Sequence, residues 1–107
     1  MNKAILIGNL TRDPEMRRTQ DGTSVCNFTL AVNRPKRDGE AEADFFRVTA
    51  WRQLGESCAK YLAKGRKCCA VGPVELQSYR GQDGETRYSL CVTAESVEFL
   101  SGQTEAR

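Results

Sequence analysis

In "SVCNFTLAVN" the even positions Cys26, Phe28, Leu30 and Val32 are apolar, while Asn27, Thr29 and Asn33 dominate the odd ones. A period of two lets a β-strand bury one face and wet the other. "DFFRVTAW" repeats the pattern with Phe46, Val48 and Ala50 on its even face. Its odd face carries Phe45, Arg47, Thr49 and Trp51, an odd assortment for a side turned to solvent. Three further stretches read as strands. "KAILIGNL" is a compact run of β-formers, and "RKCCAVGPVELQSY" is long and broken at Gly72-Pro73. In "TRYSLCVTAESVEFL", Tyr88, Leu90, Val92 and Ala94 alternate with Arg87, Ser89 and Thr93. One stretch changes period: in "RQLGESCAKYLAKG", Leu54, Cys58, Tyr61 and Leu62 form the stripe of an amphipathic helix, with Gly65 placed as a C-terminal cap.

The breaks order these elements. Pro14 in "TRDPE" forbids continuing a central ladder, so the first strand ends in a kink or bulge. Asp21-Gly22 and Asp83-Gly84 are hairpin turn signals, the first joining strands one and two, the second joining strands four and five. "RPKRDGEAEA", from Arg34 to Ala43, lacks apolar periodicity and reads as a loop that opens basic and closes acidic. The order is three strands, one helix and two strands, with curvature signals in the first and fourth strands. That order matches an all-β fold with one helix between strands three and four: the OB-fold, a five-stranded Greek-key barrel. Another small curled sheet with one packed helix is the alternative.

A length of 107 residues fits one domain with its own core. The 16 basic and 14 acidic residues leave a net charge of +2, too small to point to a polyanionic partner by itself. Any electrostatic attraction has to come from local placement, since screening acts over roughly 8 Å at physiological salt. No stretch is long and apolar enough to span a membrane and the N-terminus shows no signal-peptide pattern, so a cytoplasmic location without membrane attachment is expected. Five cysteines without C-x-x-C spacing, in a chain without histidine, argue against zinc. Cys26 and Cys58 sit on apolar stripes as small hydrophobes, and the adjacent Cys68 and Cys69 point to opposite faces of a strand.

The lack of histidine removes Ser-His and Cys-His nucleophile pairs and the commonest general base. Phosphate-cradling glycine loops are missing too, because Gly65-Arg66-Lys67 has no upstream glycine at the required spacing. Catalysis, a cofactor and a metal are therefore not expected. What remains is the odd face of "DFFRVTAW". Phe45, Arg47 and Trp51 recur at roughly 7 and 14 Å along an extended strand, spacings that suit successive bases. Every base has a π-face, so exposed aromatics bind unpaired strands with little sequence preference. Tyr79, beside Arg80 near the end of the fourth strand, would border such a face in an OB-fold. Two other readings stay open at this point: a second core layer beneath the helix, and a protein-protein interface.

"NKAILIGNLTRDPEMR", "FFRVTAWRQLGESCAKYLAKG" and "GETRYSLCVTAESVEFL" closely resemble the bacterial single-stranded DNA-binding proteins, over about residues 1 to 100. The resemblance implies an OB-fold protomer, a homotetramer and sequence-tolerant binding of single-stranded DNA in replication, recombination and repair, in the bacterial cytoplasm at the nucleoid. Carried over by position, the family's stacking sites fall on Phe45, Trp51 and Tyr79, with Arg47 at a basic position between them. Lys3, Arg17, Arg34, Lys36, Arg37, Lys64 and Arg80 complete the candidate phosphate contacts. Lys36 stands where many members place a Trp in the loop after the second strand, and Phe46 where some have a His. Members typically continue through a Gly-, Pro- and Gln-rich linker to an acidic tip that recruits replication and repair proteins. This sequence stops at Arg107, so residues 101 to 107 are read as a short remnant, and the resemblance leaves recruitment of replication and repair proteins in doubt for it. A tail-less accessory protein resembling the primosomal replication proteins, acting as a DNA and protein adaptor, is the alternative.

Overall fold

The computed structural model describes residues 1–35 and 42–100. Eight strands and one helix succeed one another: β1 (Ala4–Leu10), β2 (Glu15–Arg18), β3 (Ser24–Arg34), β4 (Glu42–Trp51), α1 (Arg52–Tyr61), β5 (Lys67–Gly72), β6 (Val74–Arg80), β7 (Thr86–Thr93) and β8 (Ser96–Phe99). All strands belong to one sheet, ordered β6-β7-β4-β3-β1-β5-β8, with β2 paired to β3 off that path. The five runs of the sequence pattern become eight strands for local reasons. Pro73 has no N–H to continue a ladder, so the fourth run divides into β5 and β6. The fifth run divides at Ala94-Glu95 into β7 and β8. β2 is additional: the Asp21-Gly22 turn joins it to β3 rather than joining the first long strand directly, with the Thr19 N–H donating to the Thr23 carbonyl at 2.9 Å.

The pairing path is open, yet its two ends come from the same two bent runs. β5 pairs with β1 and β8, while β6 pairs with β7, which runs parallel to β4. The sheet thus curls into the strand arrangement of an OB-fold, with its interior filled by the even-numbered faces of β3 and β4. Leu30, Val48 and Cys26 are fully enclosed there, joined by Cys58 from α1, Cys68 and Ala70 from β5, and Val92 from β7. Gly72 marks where the curl is tightest: a Cβ there would lie 2.0 Å from the Thr93 carbonyl oxygen. Only a residue without a side chain allows that approach.

The helix keeps most of its expected stripe inward: Cys58 and Leu62 are buried with Gly55, and Leu54 is half-buried against the core, but Tyr61 is exposed, its ring 5.7 Å from that of Phe99. Gly65 does not cap the helix. α1 ends at Tyr61 with Leu62 as its cap, the Leu62 N–H donating to the Cys58 carbonyl, and Gly65 uses its φ of +88° in the following turn. The apolar face expected of the fifth run is buried only in part. Val92 and Ala94 are enclosed, whereas Tyr88 and Leu90 are exposed, because the β6–β7 hairpin runs on past the barrel wall.

Candidate nucleic-acid interface

The outer face of the barrel wall is built from the odd positions of β3 and β4 and their neighbours. Phe45 is 61% exposed and Trp51 40% exposed, with Arg47 between them also open to solvent, whereas the intervening Val48 and Ala50 are fully buried. Strand alternation alone produces this division. The pairing register adds lateral neighbours. Trp51 lies opposite Val25, which lies opposite Arg17, so Arg17 and Trp51 end one cross-strand row. Thr29, Arg47, Cys91 and Glu75 form another, across β3, β4, β7 and β6. Each row spans adjacent strands roughly 4.8 Å apart. The core reading of Phe45 and Trp51 is excluded, since neither lies beneath the helix or within the barrel.

A groove runs along these rows, lined by Arg12, Arg17 and Arg47 together with polar Asn27, Thr49 and Gln77. Asp13 and Glu15 also reach it, so its cationic character is local and not uniform. The Thr49 hydroxyl donates to Asn27 Oδ1 at 2.8 Å, fixing the groove floor. Tyr79 sits two strands from β4, opposite Arg87, on the hairpin face that also carries Gln77. Because β7 runs parallel to β4, the Tyr79–Arg87 pair lies toward the Phe45 end of the platform.

The remaining expected cations are dispersed. Arg34 pairs with Glu42 at 2.9 Å and Asp44 at 3.2 Å at the neck of the β3–β4 hairpin. Lys3 pairs with Glu95 at 2.8 Å, beyond the end of β1 and away from the Phe45–Trp51 face. Arg80 donates to the Gly84 carbonyl at the tip of the β6–β7 hairpin, on the side opposite Tyr79. Lys64 approaches the groove through its backbone, whose N–H donates to Asp13. Lys36 and Arg37 lie outside the described residues. Three arginines that sequence reasoning missed are near the platform: Arg12, Arg52 and Arg87. Arg87 was signalled only by sharing the parity of the polar face of its strand, and Arg12 by nothing local.

Residues 1–100 match the Single-strand binding protein family. The chain belongs to that family. Among its relatives, the Single-stranded DNA-binding protein 3 of Listeria innocua is 45% identical over 105 residues, covering 96% of this chain and 66% of the relative. The Single-stranded DNA-binding protein of Bacillus cereus is 47% identical over 102 residues, covering 94% and 60%. The Single-stranded DNA-binding protein 2 of Clostridium acetobutylicum is 47% identical over 102 residues, covering 94% and 77%. The chain spans 60 to 66% of the length of several of these curated relatives. Among the described residues no helix is long and apolar enough to cross a membrane, and no cluster of three or more His, Cys, Asp or Glu side chains is arranged to hold a metal ion.

Proposed function

We propose that this protein binds single-stranded DNA with little dependence on sequence, without catalysis, and so covers strands exposed in replication, recombination and repair. The observation that carries the reading is the display of exposed Phe45, Arg47 and Trp51 on one face of β4, beside a groove holding Arg12 and Arg17. Bases of an unpaired strand stack on Phe45, Trp51 and Tyr79, each contributing about 1 to 3 kcal/mol. Arg47 takes phosphate or stacks its guanidinium plane. In a duplex the base faces are already covered, so the platform favours unpaired strands. Arg34, Lys3, Arg80 and Lys64 serve as outer phosphate contacts. The exposed ion pairs of Arg34 and Lys3 contribute little and exchange readily for phosphate.

Residues 1 to 100 form the binding unit, and protomers associate, as a homotetramer. A separate surface supports association: Ile5 and Ile7 are 70% and 53% exposed on the outer side of β1, opposite Val71 and Cys69 of β5. Contiguous apolar surface of this kind marks a contact face. Native mass measurement with and without DNA reads the assembly. The cellular setting of the reading is the bacterial cytoplasm, at the nucleoid.

The test of DNA binding is affinity for an oligothymidine across a salt series. With Z phosphate contacts, log K falls with log salt at a slope of about −0.7Z. Trp51→Ala lowers affinity by about 1 to 3 kcal/mol. Affinity indifferent to salt, or a Trp51→Ala protein that binds as well as the parent, overturns the reading.

A further inference from the structure

α1 carries an exposed aromatic at each end. Trp51 stands at its start, sharing a groove with Arg52, and Tyr61 closes it 10 helical residues on, about 15 Å along the axis. Tyr61 is 52% exposed, more than Trp51, and its ring lies 5.7 Å from that of Phe99, also exposed. Phe99 pairs with buried Cys68 and so turns to the helix side, whereas Glu98 takes the other face. This end of the helix is firmly tied. Leu62 is buried, and the loop after it is laced to β1 by the Gly65 N–H on the Leu10 carbonyl and the Leu10 N–H on the Arg66 carbonyl, both at 2.9 Å.

The surroundings are cationic. Lys60, Lys64 and Arg66 are exposed and have no carboxylate partner among the described residues, unlike Lys3, Arg34 and Arg87. The Lys60 ammonium lies over the Tyr61 ring, 5.3 Å from its centroid. Two carboxylates of this region already accept hydrogen bonds, Glu56 from the Ser24 hydroxyl at 2.8 Å and Asp13 from the Lys64 N–H at 2.9 Å. Asp13 also lines the groove that holds Arg12 and Arg47, so its bond to Lys64 joins that groove to the helix end. Tyr61 precedes Lys64 by three residues, a span of chain no longer than about 11 Å.

We propose that Tyr61 and Phe99 form a second stacking station, onto which a single strand leaving the groove past Arg12 continues. The inference rests on the single-stranded DNA reading and extends its site. A base laid on the Tyr61 ring displaces Lys60, whose ammonium turns to the adjoining phosphate, while Lys64 and Arg66 flank the strand on its way from the groove. The exposed cation–π contact given up is weaker than the stack gained. Stacking on a ring needs no particular base, so the station lengthens the contact without adding sequence preference. A second copy of the chain suits this patch less well. In a two-fold contact the same patch meets itself, and three uncompensated cations would face three more.

The experiment measures affinity for oligothymidines of about 4 to about 16 nucleotides, the range of OB-fold site sizes, for the parent chain, Tyr61→Ala and Tyr61→Phe. Y61A is expected to match the parent on the shortest oligonucleotide, which the Phe45–Trp51 platform holds alone, and to lose about fivefold or more on the longest. Y61F keeps the ring and is expected to follow the parent at every length. Arg66→Gln should make the slope of log K against log salt shallower by about 0.7, on the longest oligonucleotide only. Should Y61A fail to fold, Tyr61→Leu keeps an apolar cover for Phe99 without a π-face, and the same length-dependent loss is expected. Affinity of Y61A that is unchanged at every length, or lowered equally at every length, overturns the station and leaves the Phe45–Trp51 platform standing. A drop in native oligomer mass accompanying the loss would assign Tyr61 to a contact between copies and overturn the station as well. Failure of the parent chain to bind any of the oligonucleotides overturns the broader reading instead.

Discussion

Arg47 and Cys91 stand level with each other across the parallel pairing of β4 and β7, on the outer face of the barrel wall. The Cys91 thiol is half-buried in the groove that Arg47 lines, which makes it a reporter of whatever enters there. Cys69, the other half-buried thiol, faces outward on β5 opposite Ile7, away from the groove. Oligothymidine is expected to slow alkylation of Cys91 by tenfold or more and to leave the Cys69 rate as it was. Peptide mass mapping after a timed pulse of iodoacetamide reads both. Equal protection at the two sites would mean that DNA acts through assembly or overall compaction and not through the groove.

Arg52 makes a prediction about stability that inverts the usual helix ranking. In an ordinary helix Ala is favoured over Gly by up to about 1 kcal/mol. At a φ of +60° the order reverses, because an L side chain meets its own carbonyl there at a cost of about 1 to 2 kcal/mol. Arg52→Gly should therefore unfold at a higher urea concentration than Arg52→Ala. Both should bind single-stranded DNA more weakly than the parent. A more stable alanine variant would show that the left-handed conformation is not held in solution.

The inner faces of the barrel were legible in the sequence because burial enforces alternation: Cys26, Phe28 and Leu30, then Val48 and Ala50, all lie inside as the period of two required. Phe45 and Trp51 were legible for the complementary reason, as aromatics on a face that had no core to join. Alternation says which side a residue takes, but not whether anything covers that side. Tyr88 and Leu90 follow the same pattern as Val92 and are nevertheless exposed, since the hairpin outruns the wall. β2 was hidden because all four of its residues are exposed and carry no apolar period. The groove beside Arg12, and the shared groove of Trp51 and Arg52, depend on strand register and one backbone dihedral. Neither leaves a local mark in the residue pattern.

The buried thiols give the fold an alkaline limit. Desolvation, with neighbouring thiols adding to it, pushes Cys58 from 9.0 up to about 12 and Cys68 up to about 11. In the unfolded chain these thiols lose their protons near pH 9, whereas in the folded chain they keep them. The unfolded state therefore binds fewer protons above pH 9, and stability falls as pH rises from about 9 toward 11 to 12. It is fully present below that window. The slope reaches at most about 1.4 kcal/mol per pH unit for each thiol. Urea unfolding at pH 8, 9 and 10 under reducing conditions should show the decline, and Cys58→Ala should flatten it. The same slope in both proteins would assign the loss to other groups.

The central claim is that Trp51, the only tryptophan of the chain, stacks on the bases of an unpaired strand. Its intrinsic fluorescence reports that contact without a label. Titration with an oligothymidine should quench the emission saturably, and titration with a blunt duplex of equal nucleotide concentration should leave it nearly unchanged. Equal quenching by both, or binding of the single strand detected by mass with no change in Trp51 emission, would contradict the account.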